Sequence, residues 1–454
     1  MQPSREVLQL LRALDPEVPD SLLDDLTENE SAAEEGEDTG LERRARTVSL
    51  VRNAERPSFF DYQADLMSRM VHLLQSSGTA LLSLPTGAGK TRTAIAAVLE
   101  GRRVIGDLRV CWLAPTYELL DQALTTSVQL WRLTGAAPDI QVSLASEPAS
   151  DTDLWLTTPQ AVASKAKRRR PLGDWQALIF DEAHQMAAPT FRAAVDALRT
   201  RSGVRTVVGL SATPGRVADD ETDTLIELFQ GRLLTSQLLG PHPVEELQRQ
   251  GVLSQLRFRR LSRRDPLSLD DVERLRVILR ACRYLARRGS RVLVFTSSVA
   301  AAQALALTLQ RRDVKAGWVS GDLSANERRS RIASFATGMI QVLVNQHLLA
   351  LGYDCPAVTD VIIQGKISSP ILFEQVVGRA ARGPLTGGSR IASIWQFEDH
   401  LALHGLPQSY YRYRDYDWTS GTEGACLSRT SRCPRSRTPA ALRAASQPRS
   451  LPIR

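Results

Sequence analysis

Nine short runs rich in Val, Leu and Ile punctuate the chain between Ser58 and Trp395: TALLSL, VCWLA, DLWLTT, ALIF and TVVGLS, then, after an interruption, VLVF, VLVN, VIIQ and IASIW. Stretches of helical character separate them. A run too short for a helix, yet apolar on both faces, reads as a strand buried inside a parallel sheet, and parallel neighbours need helical crossovers. The alternation therefore dictates an α/β chain with parallel sheets wrapped by helices. At 454 residues and 43% hydrophobic content the chain can fill two or three such domains.

The interruption is LLGPHPVEELQRQGVLSQLRFRRLSRRDPLS, where Pro and Gly punctuation and a basic stripe break the rhythm. It predicts a hinge over 239–268, between one domain over 56–238 and another over 269–405. Residues 1–55 read as an acidic extension that starts with a short amphipathic helix, VLQLLRAL, and Asp15 to Gly40 carries eleven acids and no base. Residues 406–454 read as an aromatic-arginine patch, YYRYRDYDW, and a basic tail unable to bury enough surface to fold alone. Net charge is −10 over 1–40, +11 over 41–420 and +6 over 421–454. That division fits a polyanion partner, and it fits a merely soluble surface too. No run of 18 apolar residues occurs, and the amino terminus meets acids before an apolar core is complete, so the expectation is a cytoplasmic protein with no membrane span or signal peptide. Cys111, Cys282, Cys355, Cys426 and Cys433 lack zinc-site spacing and read as reduced thiols.

LPTGAGKT, Leu84 to Thr91, follows TALLSL and opens the helical run RTAIAAVLEG. A glycine-rich turn between strand and helix, here Thr86, Gly87, Ala88 and Gly89, lets backbone N–H groups converge on a phosphate at the positive end of the helix. Lys90 then reaches the β and γ oxygens, and the Thr91 hydroxyl binds magnesium. Lysine is rare in this chain, five against 52 arginines, so its use here suggests that the chemistry requires it. A glycine turn without ligand is the alternative. DEAH, Asp181 to His184, follows ALIF and sets two carboxylates at a strand's carboxyl end, the edge where open α/β sheets bind ligands. Asp181 can hold magnesium through its water shell, and Glu182 can orient and deprotonate a water. Taken alone, the tetrapeptide also reads as a solvated acidic loop. SAT, Ser211 to Thr213, ends one strand and Thr157–Thr158 ends another, each compatible with an ordinary turn.

In order and spacing, these motifs between about Phe60 and Ala402 resemble those of a superfamily 2 helicase, most of all the subgroup with type III restriction translocase subunits and XPB-type DNA translocases. The resemblance implies two tandem RecA-like domains, with ATP and Mg2+ as cofactors and nucleic acid as partner, DNA favoured over RNA. It implies an ATPase that moves along or unwinds a strand; the alternatives are an ATP-switched binding subunit of a restriction or defence complex, its terminal extensions docking protein partners, and an RNA helicase. Tyr62–Gln63 matches the element that reads adenine, although Phe60 and Asp61 stand where arginine or proline often precedes it. APTYELLDQ, with Pro115 and Thr116, and TTP, with Thr157 and Thr158, resemble elements that hold the nucleic-acid backbone, as do VFTSS, with Ser297, and SGDLSANERRSRIASFATG. SAT resembles the element coupling hydrolysis to domain movement. In VLVNQHLLALGYDCPAV, Asp354 is expected at the ribose or the arginine finger. EQVVGRAAR places Gln375, Arg379 and Arg382 on a 3.6-residue period, and in relatives those arginines meet the γ-phosphate. The catalytic set so implied is Lys90, Asp181, Glu182, Arg379 and Arg382. KAKRRR, Lys165 to Arg170, and YYRYRDYDW stay open between a solvated surface and nucleic-acid contact.

Overall fold

The computed structural model describes residues 4–17, 46–50, 58–134, 140–214, 219–346, 349, 355–398, 400–404 and 419–420. In chain order the elements are α1 (Arg5–Leu14), β1 (Arg46–Leu50), α2 (Asp61–Ser76), β2 (Gly78–Ser83), α3 (Lys90–Ile105), β3 (Val110–Leu113), α4 (Tyr117–Thr134), β4 (Ile140–Leu144), β5 (Leu154–Thr157), α5 (Pro159–Lys167), β6 (Ala177–Asp181), α6 (Pro189–Arg201), β7 (Thr206–Ser211), α7 (Asp219–Leu228) and β8 (Arg232–Leu234). There follow α8 (Pro243–Arg249), β9 (Gln255–Arg260), α9 (Asp271–Arg287), β10 (Val292–Phe295), α10 (Val299–Gln310), β11 (Ala316–Val319), α11 (Ala325–Thr337), β12 (Val342–Asn345), β13 (Asp360–Ile363), α12 (Pro370–Gly378), β14 (Ile391–Gln396), α13 (His400–His404) and β15 (Thr419–Ser420). They form two compact units: the first takes the described residues between 46 and 247 with 419–420, the second takes 4–17 and those between 248 and 404.

The first unit is built on a sheet in the order β1-β4-β5-β3-β6-β7-β2-β8-β15. Its strands run parallel except β1, which pairs antiparallel with β4. Every residue of β3, β5, β6 and β7 is buried, which is why these strands read as unbroken apolar runs instead of alternating ones. Register fixes what leaves the sheet together: Ser83 lies beside Ser211, Asp181 beside Leu210, and Leu113 beside both Phe180 and Thr157. The loops after these strands therefore issue from one edge.

The second unit carries an all-parallel sheet, β11-β12-β10-β13-β14-β9. One face packs α9, α10 and α1 around Leu275, Ile278, Leu305 and Leu309; the other packs α11 and α12 around Phe335, Phe373 and Val376. Two features depart from the expected segmentation. Helix α1 is part of this unit's core: Val7, Leu11 and Leu14, on one face at helical spacing, are buried against α9 and α10. The segment expected as a hinge holds α8 and β9, and the unit boundary falls inside α8, after Leu247. In β9 the sequence QLRFRR alternates, so that Leu256 and Phe258 meet the apolar core while the Arg259 guanidinium lies 5.3 Å from the Trp395 ring centroid. The period of two was masked by the arginines. No described helix is long and apolar enough to cross a membrane.

Candidate active site

The turn after β2 winds through Gly87 and Gly89, both left-handed at φ 94° and 87°. The φ of Gly89 is one that favours glycine, and a Cβ there would lie 2.5 Å from Gln63 Nε2 and displace that amide. Gly89 caps α3, whose first residues are Lys90 and Thr91; Thr86, Gly87 and Gly89 are half-buried and Ala88 is covered. Four N–H groups at that helix start have no partner within the helix, which is the geometry an anion seeks. The turn is held from below by α2. Tyr62 Oη and Gln63 Nε2 both donate to the Ala88 carbonyl, at 2.9 and 3.1 Å, and Gln63 Oε1 accepts from Phe60 N at 3.3 Å. Both ends of the Gln63 amide are thus engaged inside the protein, and the residue is 3% exposed. Its observed part is to brace the phosphate-type loop.

Asp181, the last residue of β6, is 1% exposed, with Oδ2 accepting from Thr91 Oγ1 at 3.2 Å and Oδ1 from Glu182 N at 3.0 Å. Burial is the main cause that lifts its carboxyl to about 7, with the Glu182 charge adding to the rise and Lys90 opposing it. Such a buried acid lacks sufficient positive charge, and beside a threonine hydroxyl it makes a donor set that fits a hard divalent cation. Glu182 stands in the left-handed region at φ 53°, ψ 51°, unusual for a residue with a side chain and a strain that recurs at functional sites. Its Oε2 lies 3.3 Å from His184 Nδ1, which is 3.5 Å from Ser211 Oγ; that hydroxyl in turn donates to Thr213 O at 2.7 Å. His184, absent from the expected site, therefore joins the acidic pair to SAT. Its place in DEAH was the only sequence signal.

Pro115 and Thr116 lie half-buried in the loop after β3, where Thr116 Oγ1 accepts from Leu119 N at 3.4 Å to start α4. Thr158 caps α5 in the same way, accepting from Ala161 N at 3.2 Å, whereas Thr157 is fully buried with no partner for its hydroxyl among the described residues. That burial leaves Thr158 as the threonine of this pair with an outward face. In KAKRRR, Lys165 and Arg170 reach the Glu147 carboxylate at 3.8 and 2.8 Å, so both cations are engaged locally.

In the second unit, Ser297 is exposed after β10, its N–H donating to Gln364 Oε1 at 3.2 Å. The helix expected to carry Gln375, Arg379 and Arg382 ends at Gly378. Beyond it the backbone bonds tighten to i→i−3, from Arg379, Ala380 and Ala381 N to Val376, Val377 and Gly378 O. Arg382 consequently leaves the helical row and enters a bridge with Leu253. Ser254 N donates to Ala381 O at 2.9 Å, Gly383 N to Val252 O at 2.9 Å, and Ser254 Oγ reaches the Arg382 carbonyl. A Cβ on Gly383 would stand 2.3 Å from Gly251 O, so this crossing of two loops needs glycine. Gln375 is buried and Arg379 half-buried, with Nε donating to Gln375 O at 3.2 Å. Asp354 and YYRYRDYDW lie outside the described residues. A separate cleft of about 990 Å³ opens in this unit among Asp265, Leu267, Asp271, Arg274, Lys366 and Glu398, and no expected site residue lines it.

Comparison with known proteins bears on this arrangement. The profile described as "Type III restriction enzyme, res subunit" matches residues 56–216, and that of "Helicase conserved C-terminal domain" matches 272–384. The chain belongs to the superfamily 2 helicases. This helicase is 26% identical over 343 residues to a "51.5 kDa protein" of Lactococcus phage (isolate 7-9), covering 74% of this chain and 69% of the phage protein. It is 24% identical over 369 residues to the Candida albicans "ATP-dependent RNA helicase DBP6", covering 74% of this chain and 61% of that one. Its fold matches that of S. cerevisiae Dbp5, whose structure is described as bound to RNA and ADP BeF3, with TM-score 0.55, 18% identity, and coverage of 79% of this chain and 93% of Dbp5. The helicase is accordingly an ATP-dependent enzyme with two RecA-like parallel-sheet units.

Proposed function

We propose that this helicase hydrolyses ATP at the Gly87–Thr91 turn and uses the cycle to move along DNA. The observation that carries the reading is the meeting of a glycine-built helix start, Lys90 and Thr91, with a buried Asp181 3.2 Å from the Thr91 hydroxyl and with Glu182 next to it. In this reading the turn N–H groups and Lys90 bind the β and γ oxygens, while Thr91 and Asp181 hold Mg2+. When bound, Mg2+ supplies positive charge against the phosphate oxygens. Glu182 orients a water and takes its proton. His184 steadies the Glu182 carboxylate and connects it to Ser211 and Thr213, a hydrogen-bonded route by which a change at the phosphate end reaches SAT. For Arg379 and Arg382 the family resemblance implies charge on a transferred phosphoryl group, an effect worth about 10³ to 10⁵ in rate.

Pro115, Thr116, Thr158 and Ser297 are the proposed nucleic-acid contacts, through backbone groups and capping hydroxyls at strand ends. DNA is favoured because the matched first-unit profile is that of a restriction enzyme subunit; the name of the Candida relative keeps RNA as the second reading. Measuring ATPase stimulation by single-stranded DNA, duplex DNA and RNA decides between them. Stimulation by RNA alone overturns the DNA assignment. Strand separation assayed beside triplex displacement then tells unwinding from translocation, and a chain that does neither is an ATP-controlled binding subunit.

A further inference from the structure

The cleft of the second unit, about 990 Å³, takes no part in the proposed reaction, yet its volume is that of an ordinary binding cleft, about 300 to 1,000 Å³. The sequence DPLSLDD, Asp265 to Asp271, builds one wall. Pro266 starts a single turn of 3₁₀ helix that polar groups fix from both sides. Asp265 Oδ1 accepts from Leu267 N at 3.0 Å, Ser268 Oγ donates to Asp265 O at 2.8 Å, and Arg274 Nη2 donates to Pro266 O at 2.7 Å. The backbone is thus held while the Leu267 side chain stands 91% exposed. A second wall comes from α13, and two histidines pin it. Ile367 N donates to His400 Nε2 at 3.0 Å and His404 Nε2 donates to Ile367 O at 2.6 Å, so α13 is fixed to the loop that carries Lys366. On this wall Leu403 is 48% exposed. One exposed leucine is ordinary on a protein surface. Two on the lining of one cleft, each on a braced element, make apolar surface that gains from being covered.

Charge separates this cleft from a phosphate site. Asp265, Asp270, Asp271 and Glu398 line it with Arg274 and Lys366. Arg274 is already committed, donating to Glu398 Oε1 at 2.7 Å, to Gln364 O at 3.1 Å and to Leu269 O at 3.3 Å. Asp270 has a structural part as well: it caps α9, accepting from Glu273 N at 2.7 Å, as acids at a helix start commonly do. That account leaves two carboxylates under-satisfied. Asp271 is exposed and has one long bond, from Gln364 Nε2 at 3.5 Å, and Glu398 Oε2 is buried with no partner among the described residues. Both gain from a cation, and the net negative lining repels a phosphate backbone.

We propose that this cleft is the docking site of a partner protein, through a segment in which a lysine or arginine neighbours a leucine-sized apolar side chain. The cation lies against Asp271 and Glu398, and the apolar side chain packs on Leu267 and Leu403. A small ligand enclosed by the cleft would leave Leu267 in water; a protein segment covers the rim as well as the floor. Salt weakens the charged half of this contact and spares the apolar half.

Fluorescence anisotropy on the full chain tests this with short labelled peptides of three kinds: Arg beside Leu, Glu beside Leu, and Arg beside Ser. The Arg–Leu peptide is expected to bind saturably with a Kd of about 10 to 100 μM at about 0.1 M salt, and the other two at least about tenfold more weakly. Leu267→Ser and Asp271→Asn are each expected to weaken the Arg–Leu peptide by at least about fivefold, the effect of removing one anchor. Both side chains are exposed, so neither substitution endangers the fold. Glu6→Gln, an exposed acid on α1, serves as the control for net charge. No saturable binding up to about 1 mM overturns the proposal. So does equal binding of the Glu–Leu peptide, or a loss in Glu6→Gln as large as that in Asp271→Asn. An oligonucleotide that displaces the peptide, and that itself loses affinity in Leu267→Ser, makes the cleft a nucleic-acid surface, which also overturns it. None of these readouts depends on ATP turnover, so failure here is separate from failure of the proposed activity.

Discussion

A carboxyl as buried as Asp181 keeps its proton to about pH 7 in the absence of a cation, and this has a calculable effect on folding. The folded chain binds this proton more tightly than the unfolded chain, where the group titrates near 3.9. Its stabilising contribution is complete below about pH 4 and is lost as pH rises through 7, by up to about 1.4 kcal/mol per pH unit. Urea midpoints taken with EDTA and without nucleotide should fall between pH 5 and 8 in the wild type, and fall less in Asp181→Asn. An identical slope in both would show that other groups set it. Lys90→Ala removes the charge meant for the phosphates, and turnover should drop by about a hundredfold or more. Nucleic-acid-stimulated hydrolysis that survives the substitution rejects the loop as the site. Glu182→Gln keeps the volume and loses the base, so ATP binding should persist while turnover falls by about 10² to 10⁴. Weak binding in that variant would assign Glu182 a structural part instead.

At the scale of elements, the phosphate-type loop is a joint between β2, α3 and α2. Tyr62 and Gln63 share one carbonyl, that of Ala88, so α2 sets the height of the loop against the sheet. Gln63→Ala should therefore weaken ATP and GTP binding alike, by a modest factor of about 3 to 10, worth about 1 kcal/mol for one hydrogen bond. Selective loss of ATP over GTP would restore the adenine-reading role that the Tyr62–Gln63 resemblance implies. The loop after α12 is a second joint. Residues 251–254 hold 381–385 through backbone bonds, the Thr386 hydroxyl donates to Val252 O, and Gly383 permits the crossing at Gly251 O. Helical periodicity placed Arg379 and Arg382 on one row; the tightening to i→i−3 bonds past Gly378 separated them. That tightening depends on Ser254 and Val252, more than a hundred residues earlier. No local pattern carries it.

Over the whole molecule, α1 contributes to the second unit from the far end of the chain. Leu11→Ala should destabilise that unit by about 2 to 5 kcal/mol, the usual range for emptying a fully buried leucine site, as measured by urea unfolding. A change within 0.5 kcal/mol would mean that the docked helix adds nothing to the fold. The nine apolar runs, all realised as strands, were legible because a strand covered on both faces has no choice but to be apolar, and TGAGKT was legible because only glycines admit its turn. Among the described strands outside those runs (β1, β4, β8, β9, β11 and β15), β9 hides its alternation behind arginines, and β11 is a four-residue run, AGWV, with little to distinguish it. From its sequence alone the chain determined its class, its strand–turn–helix phosphate loop and the order of its motifs, since these follow from local sterics and periodicity. Only the tertiary structure decided that Gln63 braces the loop, that His184 ties Glu182 to Ser211, and that the acidic extension starts inside a core. Those outcomes rest on contacts between residues distant in sequence, chosen by sheet register and packing, which no local spacing encodes.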